Sequence, residues 1–312
     1  MSLTFDKKTL DSTGAFLVSE LERLDTTLHE PLWEVSWGRD INLRSDVTLA
    51  DEFTSFMLSN YAAPGGINTK GKNWIAQGST AIPGISVDLE KHTKPLRPWA
   101  MELAYSIFDL EKSIKLNRNI DAQKVEGIRI KYQMDIDEQV YVGDETLGAT
   151  GLFNNESIPT FDMGEVWNET TSPDVILAAI NEATTTAWSN SAYTIFPRKI
   201  ILPPQKFALL QRPMESTAES IWQYIARNSV ANSVNGSPLE IVPSKWSVGR
   251  GAANSDRMLI YTNEQRFVRF SLVPIARTAL QLIGINHQAV YYAVLGEVEV
   301  VYPETLLYGD GF

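Results

Sequence analysis

A run of 24 residues, NIDAQKVEGIRIKYQMDIDEQVYV (119–142), constrains the fold of this chain more than any other stretch. Val125, Ile128, Tyr132, Ile136 and Val140 recur three or four apart, the spacing of one helix face. That predicts a helix roughly 30–35 Å long, at about 1.5 Å per residue, with a single apolar stripe. The remaining chain must supply a surface long enough to receive it. GDETLGATGLFN (143–154) follows at once, with three glycines and a closing asparagine. Glycine at this density means a sharp turn or a close backbone approach. Gly143 falls where a helix ends in a left-handed residue. Gly151 is expected to permit a close turn before Leu152 and Phe153 return to the core, and Asn154 closes the stretch.

The flanking segments read differently. Residues 1–61 form an N-terminal arm in which short helical patterns such as AFLVSELERL alternate with polar turns. Trp33 and Trp37 there need something to cover them. Residues 62–98 open with the breaker-rich APGGINTKGKN and continue as short strands, a hairpin-like excursion carrying Lys70, Lys72, Lys91, Lys94 and Arg97. A loop this long is functional or covers a neighbour. SIFD (106–109) has Ser106 at N-cap with Asp109 three residues on. Between 155 and 265 helix and strand alternate. Ser172 and Pro173 start a helix with a Val175/Ala179/Ala183 stripe. RKIILPPQKFALL is a strand (199–202) leading through a double proline to a short helix; AESIWQYIARN is a further helix, and PLEIVP and RMLIYT are strands. From Arg266 onward the chain is β-rich. In GEVEVVYP, Val298 and Val300 alternate with Glu297 and Glu299, which predicts a strand with one wet face.

Composition removes several functions. The 312 residues include no cysteine and three histidines, so thiolate ligation is absent and imidazole chemistry poorly supplied. A net charge of −11 opposes a reader of nucleic acid that works by neutralising phosphates. The charge is uneven: residues 1–60 hold five basic and eleven acidic side chains, and residues 70–131 hold eleven and seven. Such halves can pair within one chain or between copies. The nineteen charge-free residues between Arg277 and Glu297 are interrupted by Gln281, Asn286, His287 and Gln288, which favours buried sheet or interface over a membrane span.

Motifs for chemistry are weak. GINTKGKN (66–73) has the phosphate-loop spacing with Lys72 in place, but Asn73 stands where Ser or Thr should bind Mg²⁺, and a strand-like WIAQG follows where a helix should open. GRGAAN (249–254) lacks the last glycine of a dinucleotide fingerprint. Asp135 and Glu138 share a helix face, with Asp137, Asp144 and Glu145 nearby, so a carboxylate pair or metal site is conceivable. An acidic turn is more often solvated or salt-bridged. No cofactor and no catalytic residue is expected.

The order of the pieces carries more than any one of them. YSIFDLEKS (105–113), the long helix, VGDETLGATGLFN (142–154), ILPPQKFALL (201–210), PLEIVP (238–243) and the closing VYYAVLGEVEVVYPETLLYGDGF are collinear with elements of the HK97-fold major capsid proteins of tailed bacteriophages. The chain resembles that family, most of all the branch described as encapsulin-like or as DUF2184 major capsid proteins, over most of residues 62–312. Pro203-Pro204 departs from the family's Asn-Pro. The resemblance implies an α+β, HK97-like fold: N-terminal arm (1–61), extended β-hairpin E-loop (62–98), peripheral domain (99–158 and 266–312) with spine helix 119–142, and α/β axial domain (159–265).

It implies a non-enzymatic subunit that assembles with itself, in rings of six and five, into an icosahedral shell around double-stranded DNA in the virion, built in the host bacterial cytoplasm. Decoration or cement protein, portal and scaffold are its further expected partners; DNA contact without sequence specificity is expected, and no membrane. Lys70, Lys72, Lys91, Lys94, Arg97, Trp33 and Trp37 are the expected inter-subunit contacts, and Gly143, Gly151 and Asn154 the structural turn. Two other readings stand beside this one: an encapsulin-type nanocompartment shell, and an acidic hydrolase using a carboxylate pair.

Overall fold

A computed structural model describes residues 34–62, 77, 84–115, 120–214 and 219–312. A short helix α1 (Trp37–Asp40) leads into β1 (Asn42–Arg44). Two ten-residue strands follow, β2 (Phe53–Ala62) and β3 (Ser86–Pro95), which pair antiparallel along their whole length. β4 (Arg97–Ser106) runs into α2 (Ile107–Lys115), then the long α3 (Ile120–Tyr141). The turn after α3 holds β5 (Gly143–Asp144) and β6 (Ala149–Thr150), and β7 (Thr160–Asp162) follows. Next come α4 (Pro173–Asn190), β8 (Lys199–Leu202), α5 (Pro204–Leu209), α6 (Ile221–Asn228), α7 (Val230–Asn235) and β9 (Glu240–Pro243). β10 (Arg257–Tyr261), β11 (Val268–Arg277), β12 (Gln281–Ile283), β13 (Asn286–Val300) and β14 (Leu307–Asp310) complete the chain.

Two five-stranded sheets organise these pieces. In one, the fifteen-residue β13 is central, with β4 antiparallel on one side and β11 and β12 on the other; β1 adds parallel outside β11. In the other the order is β7-β14-β10-β8-β9, mixing parallel and antiparallel pairs. KIIL of β8 is buried at all four positions because both faces of this sheet are covered. Ile200 and Leu202 join a core with Ile176 and Ile180 of α4 and Ile221 and Ile225 of α6, whereas Ile201 joins the core built on α3. No described helix is long and apolar enough to cross a membrane; the charge-free stretch 278–296 is sheet, in β12 and β13.

α3 buries Ile128, Tyr132, Ile136 and Val140, the stripe read from the sequence. At about 1.5 Å per residue its 22 residues span about 33 Å. Ser106 and Asp109 make a reciprocal cap at the start of α2: the Asp109 N–H donates to Ser106 Oγ (3.1 Å) and the Ser106 N–H to Asp109 Oδ2 (3.4 Å). Those bonds hold the Asp109 carboxyl below its usual range. In α4 the expected stripe holds at Ala183 and, half-buried, at Ala179, but fails at Val175. Val175 is exposed, and Ile176, Ile180, Ala183, Thr184 and Ala187 face the core. The run VILAAI offers two faces at equal spacing, and the larger isoleucines take the buried one.

GDETLGATGLFN is a minimal hairpin laid on the end of α3. Gly143 has φ +73°, and a Cβ there would lie 2.2 Å from the Ala149 carbonyl oxygen. Asp144 caps a 3₁₀ turn, Glu145–Leu147, by accepting from the Thr146 N–H, and Gly148 leaves that turn with φ +64°. Gly151 passes so near the spine that a Cβ would meet the Tyr141 carbonyl carbon at 2.5 Å. Asn154 Oδ1 accepts from the Gly151 N–H (2.6 Å) while its Nδ2 donates to the Val142 carbonyl (2.5 Å). Leu152 and Phe153 are fully buried. Backbone packing alone accounts for the glycines.

Candidate inter-subunit surface

The β2–β3 hairpin begins at Phe53, so its first strand belongs to what the sequence assigned to the arm. Period-two alternation splits it into two faces. On the inner face Thr54 is buried, Phe56 stacks on His92 with centroids 5.2 Å apart, and the Arg269 guanidinium lies 6.0 Å from the Phe56 ring centroid. Phe56, Leu58, His92 and Lys94 look across a cleft toward Val298 and Val300 of the body. The outer face carries Phe53, Met57 and Tyr61 from one strand and Val87 and Leu89 from the other, each 52–68% exposed. Water covers an apolar surface there on a two-stranded ribbon, which is marginal by itself.

Register divides the basic residues. Lys91 pairs opposite Met57 on the outer face. Lys94 turns inward, its Nζ 3.2 Å from Glu297 Oε2. Arg97, the first residue of β4, sits 3.5 Å from Glu297 Oε1 and donates to the Leu147 carbonyl at 2.9 Å. Both cations, expected at a neighbour, thus have partners within their own chain. Lys70, Lys72 and Trp33 lie outside the described residues, as does the phosphate-loop-like 66–73. Trp37 is half-buried: its ring packs on the core and its Nε1 donates to Gln133 Oε1 at 2.9 Å. Its own chain thus covers part of this ring.

Glu297 and Glu299 correct the expected wet face. Their side chains are 5% and 0% exposed. Glu299 receives Arg44 Nη1 (3.2 Å), Arg269 Nε (2.6 Å) and Ser271 Oγ (3.1 Å). Burial pushes the Glu299 carboxyl up, but bonds from Thr54 and Arg269 and the charges of Arg269 and Arg44 outweigh it, leaving it below the ordinary value. Arg44 also reaches the Ser55 carbonyl (3.2 Å) and Asp46 (2.7 Å).

The acidic residues of α3 serve structure too. Asp135 accepts from Trp99 Nε1 (2.8 Å) and pairs with Lys131. Asp137 accepts from the backbone N–H groups of Ser36 and Trp37 and from Trp246 Nε1 (2.6 Å). Gln133, Asp135 and Asp137 therefore each take an indole N–H. Asp135, Glu138, Asp144 and Glu145 border one open groove with Arg97 and Arg250, without a histidine. Among the described residues no His/Cys/Asp/Glu group is arranged to hold a metal. GRGAAN is a surface turn with Ala253 and Asn254 in the left-handed region and no strand–helix unit around it.

Sequence reasoning missed a buried ionic knot. Lys199, 2% exposed, reaches Asp40 Oδ1 (3.1 Å), the Arg39 carbonyl (2.8 Å) and Glu240 Oε1 (3.0 Å). Tyr141 donates to Asp40 Oδ2, and the Tyr261 hydroxyl donates to the Asp40 carbonyl at 2.6 Å. Residues 36–44, expected in the arm, are thereby bolted into the body. The one signal was a lysine at the head of an otherwise apolar strand.

Family comparison decides what the exposed hairpin belongs to: the major capsid protein family matches residues 71–312. The chain belongs to that family. This capsid protein also shares its fold with solved shells. It matches a chain in the capsid of Myoviridae phage XM1 at TM-score 0.78 and 15% identity, covering 96% of this chain and 100% of that one. It matches the capsid of cyanophage P-SCSP1u at 0.60 and 8%, covering 99% of both. A native GTA particle capsid matches at 0.60 and 11%, covering 98% and 99%. No curated protein matches. The fold is HK97-like and α+β, and the capsid protein is a shell-forming subunit of a virion, assembled with copies of itself. Neither the nanocompartment nor the hydrolase reading is favoured.

Proposed function

We propose that this capsid protein tiles in rings of six and five into an icosahedral shell around the double-stranded DNA of a tailed bacteriophage, assembling in the host bacterial cytoplasm. Its hairpin lies across the adjacent subunit. The apolar outer face of the hairpin is the observation that carries this reading. Burying each of its large side chains against a neighbour contributes about 1.5–3 kcal/mol. Lys91, seated among Met57 and Leu89, supplies charge for acidic surface on that neighbour, as do Lys70 and Lys72. A chain of net charge −11 keeps the wall from holding packaged DNA tightly. Decoration or cement protein, portal and scaffold complete the particle. Protein chemistry of this kind needs no catalytic group, and the subunit has a structural role only.

Electron microscopy and sedimentation of the protein carrying Met57→Glu and Leu89→Glu test the proposal. Closed shells for the parent and folded 34.9 kDa subunits for the variant are expected. Normal shells from the variant overturn it.

A further inference from the structure

We propose that Glu297 and Glu299 form a two-carboxylate clamp that sets the angle of the hairpin against the body and can open without unfolding the body. The clamp sits at a bend. β3 ends at Pro95 and β4 begins at Arg97, so Leu96 alone joins the free hairpin to a strand fixed in the main sheet. Lys94 lies on the hairpin side of that residue and Arg97 on the sheet side, and both hold Glu297. One carboxylate therefore ties together the two sides of a one-residue joint.

Glu299, two residues on and on the same face of β13, repeats the arrangement at the other hairpin strand. Arg44 of β1 spans from Glu299 to the Ser55 carbonyl of β2, next to the buried Thr54. Arg269 of β11 and Ser271 hold the same carboxylate from the sheet. The charged groups facing Glu299 are thus Arg44 and Arg269, with Asp46 bound to Arg44.

Taking a carboxylate out of water costs several kcal/mol, which the partner cations offset only with good geometry. In general, replacing a buried ion pair by apolar residues of similar volume is often neutral for stability, so attachment alone does not call for charge. Ionic partners instead give direction, most of all the short, oriented bond from Arg269 Nε to Glu299 at 2.6 Å. The outer face contributes nothing to this attachment, since it points into solvent. The hairpin is consequently a lever whose aim is fixed at its base by Glu297 and Glu299 and their cationic partners Lys94, Arg97, Arg44 and Arg269. This inference concerns the single subunit and stands whether or not the proposed tiling is correct.

Hydrogen–deuterium exchange on full-length unassembled subunits at neutral pH tests it. Glu299→Gln is compared with the parent and with Glu304→Gln, an exposed control. Amides of 53–62 and 86–95 are expected to exchange about tenfold faster in Glu299→Gln, the factor that losing one charged buried bond gives. Amides of 128–140 in α3 should keep their protection. Unchanged hairpin exchange overturns the clamp, and so does equal acceleration in α3, which would make the carboxylates general supports of the body. If Glu299→Gln is insoluble, Lys94→Gln decides: it removes the hairpin's own cation while Arg97 still faces Glu297. Faster hairpin exchange supports the clamp, and unchanged exchange contradicts it.

Discussion

The turn at 143–154 and the hairpin of β2 and β3 are both antiparallel reversals, yet they are held by opposite means. In the turn, every unusual residue is explained by its own chain: Gly143 by a positive φ, Gly151 by the Tyr141 backbone, and Asn154 by two backbone bonds. In the hairpin only the inner face is explained. Its outer row of Phe53, Met57, Tyr61, Val87 and Leu89 has no partner among the described residues. The first region is determined from within; under the proposed tiling, the second is completed by another copy. Stability of the subunit and closure of the shell should therefore respond to different substitutions.

The sharpest separation comes from Gly143→Val. A side chain there needs a left-handed backbone that costs about 1–2 kcal/mol, and its Cβ runs into the Ala149 carbonyl. Loss of about 3 kcal/mol or more is expected, read as a large fall in thermal midpoint or as insoluble protein. A midpoint within a few degrees of the parent would break the comparison. Asn154→Ala should cost less, about 1–3 kcal/mol, because it strips partners from the Gly151 N–H and the Val142 carbonyl. Urea unfolding of unassembled subunits measures it. For the hairpin, Lys91→Glu should leave that unfolding curve unchanged while lowering shell yield by sedimentation. Full yield would deny Lys91 a role at the interface.

The smallest effect expected is from acid. Glu299 has a folded value below its ordinary 4.5, so its contribution is present above that pH and is lost as pH falls through the lower folded value. Hairpin amides should keep constant protection from pH 8 to about 5 and lose it only below about 4.5. Loss of protection between pH 6 and 8 would show that another group holds the hairpin.

How much of this was legible follows the same divide. The α3 stripe, the Ser106–Asp109 cap and the buried KIIL strand are local patterns, and local spacing reports them directly. Glu297 and Glu299 misled because alternation records only that polar residues share a face. It cannot distinguish water from arginines, and Arg44 lies 255 residues from Glu299 in the chain. Lys94 and Lys91 looked equivalent in the sequence until pairing opposite Thr54 and Met57 fixed which face each takes. Trp37, Trp99 and Trp246 likewise gave no sign that α3 would receive all three indoles, since none is near it in sequence. Family resemblance supplied the architecture, and only side-chain geometry assigned the charges.

Hydroxyl-radical labelling of Met57 in assembled shells and in dissociated subunits tests the central claim most directly. In the single subunit this side chain is 68% exposed. The account predicts strong oxidation of Met57 in subunits and a loss of most of that reactivity in shells. Equal reactivity in both states would contradict it, because the hairpin's outer face would then remain in water after the particle has closed.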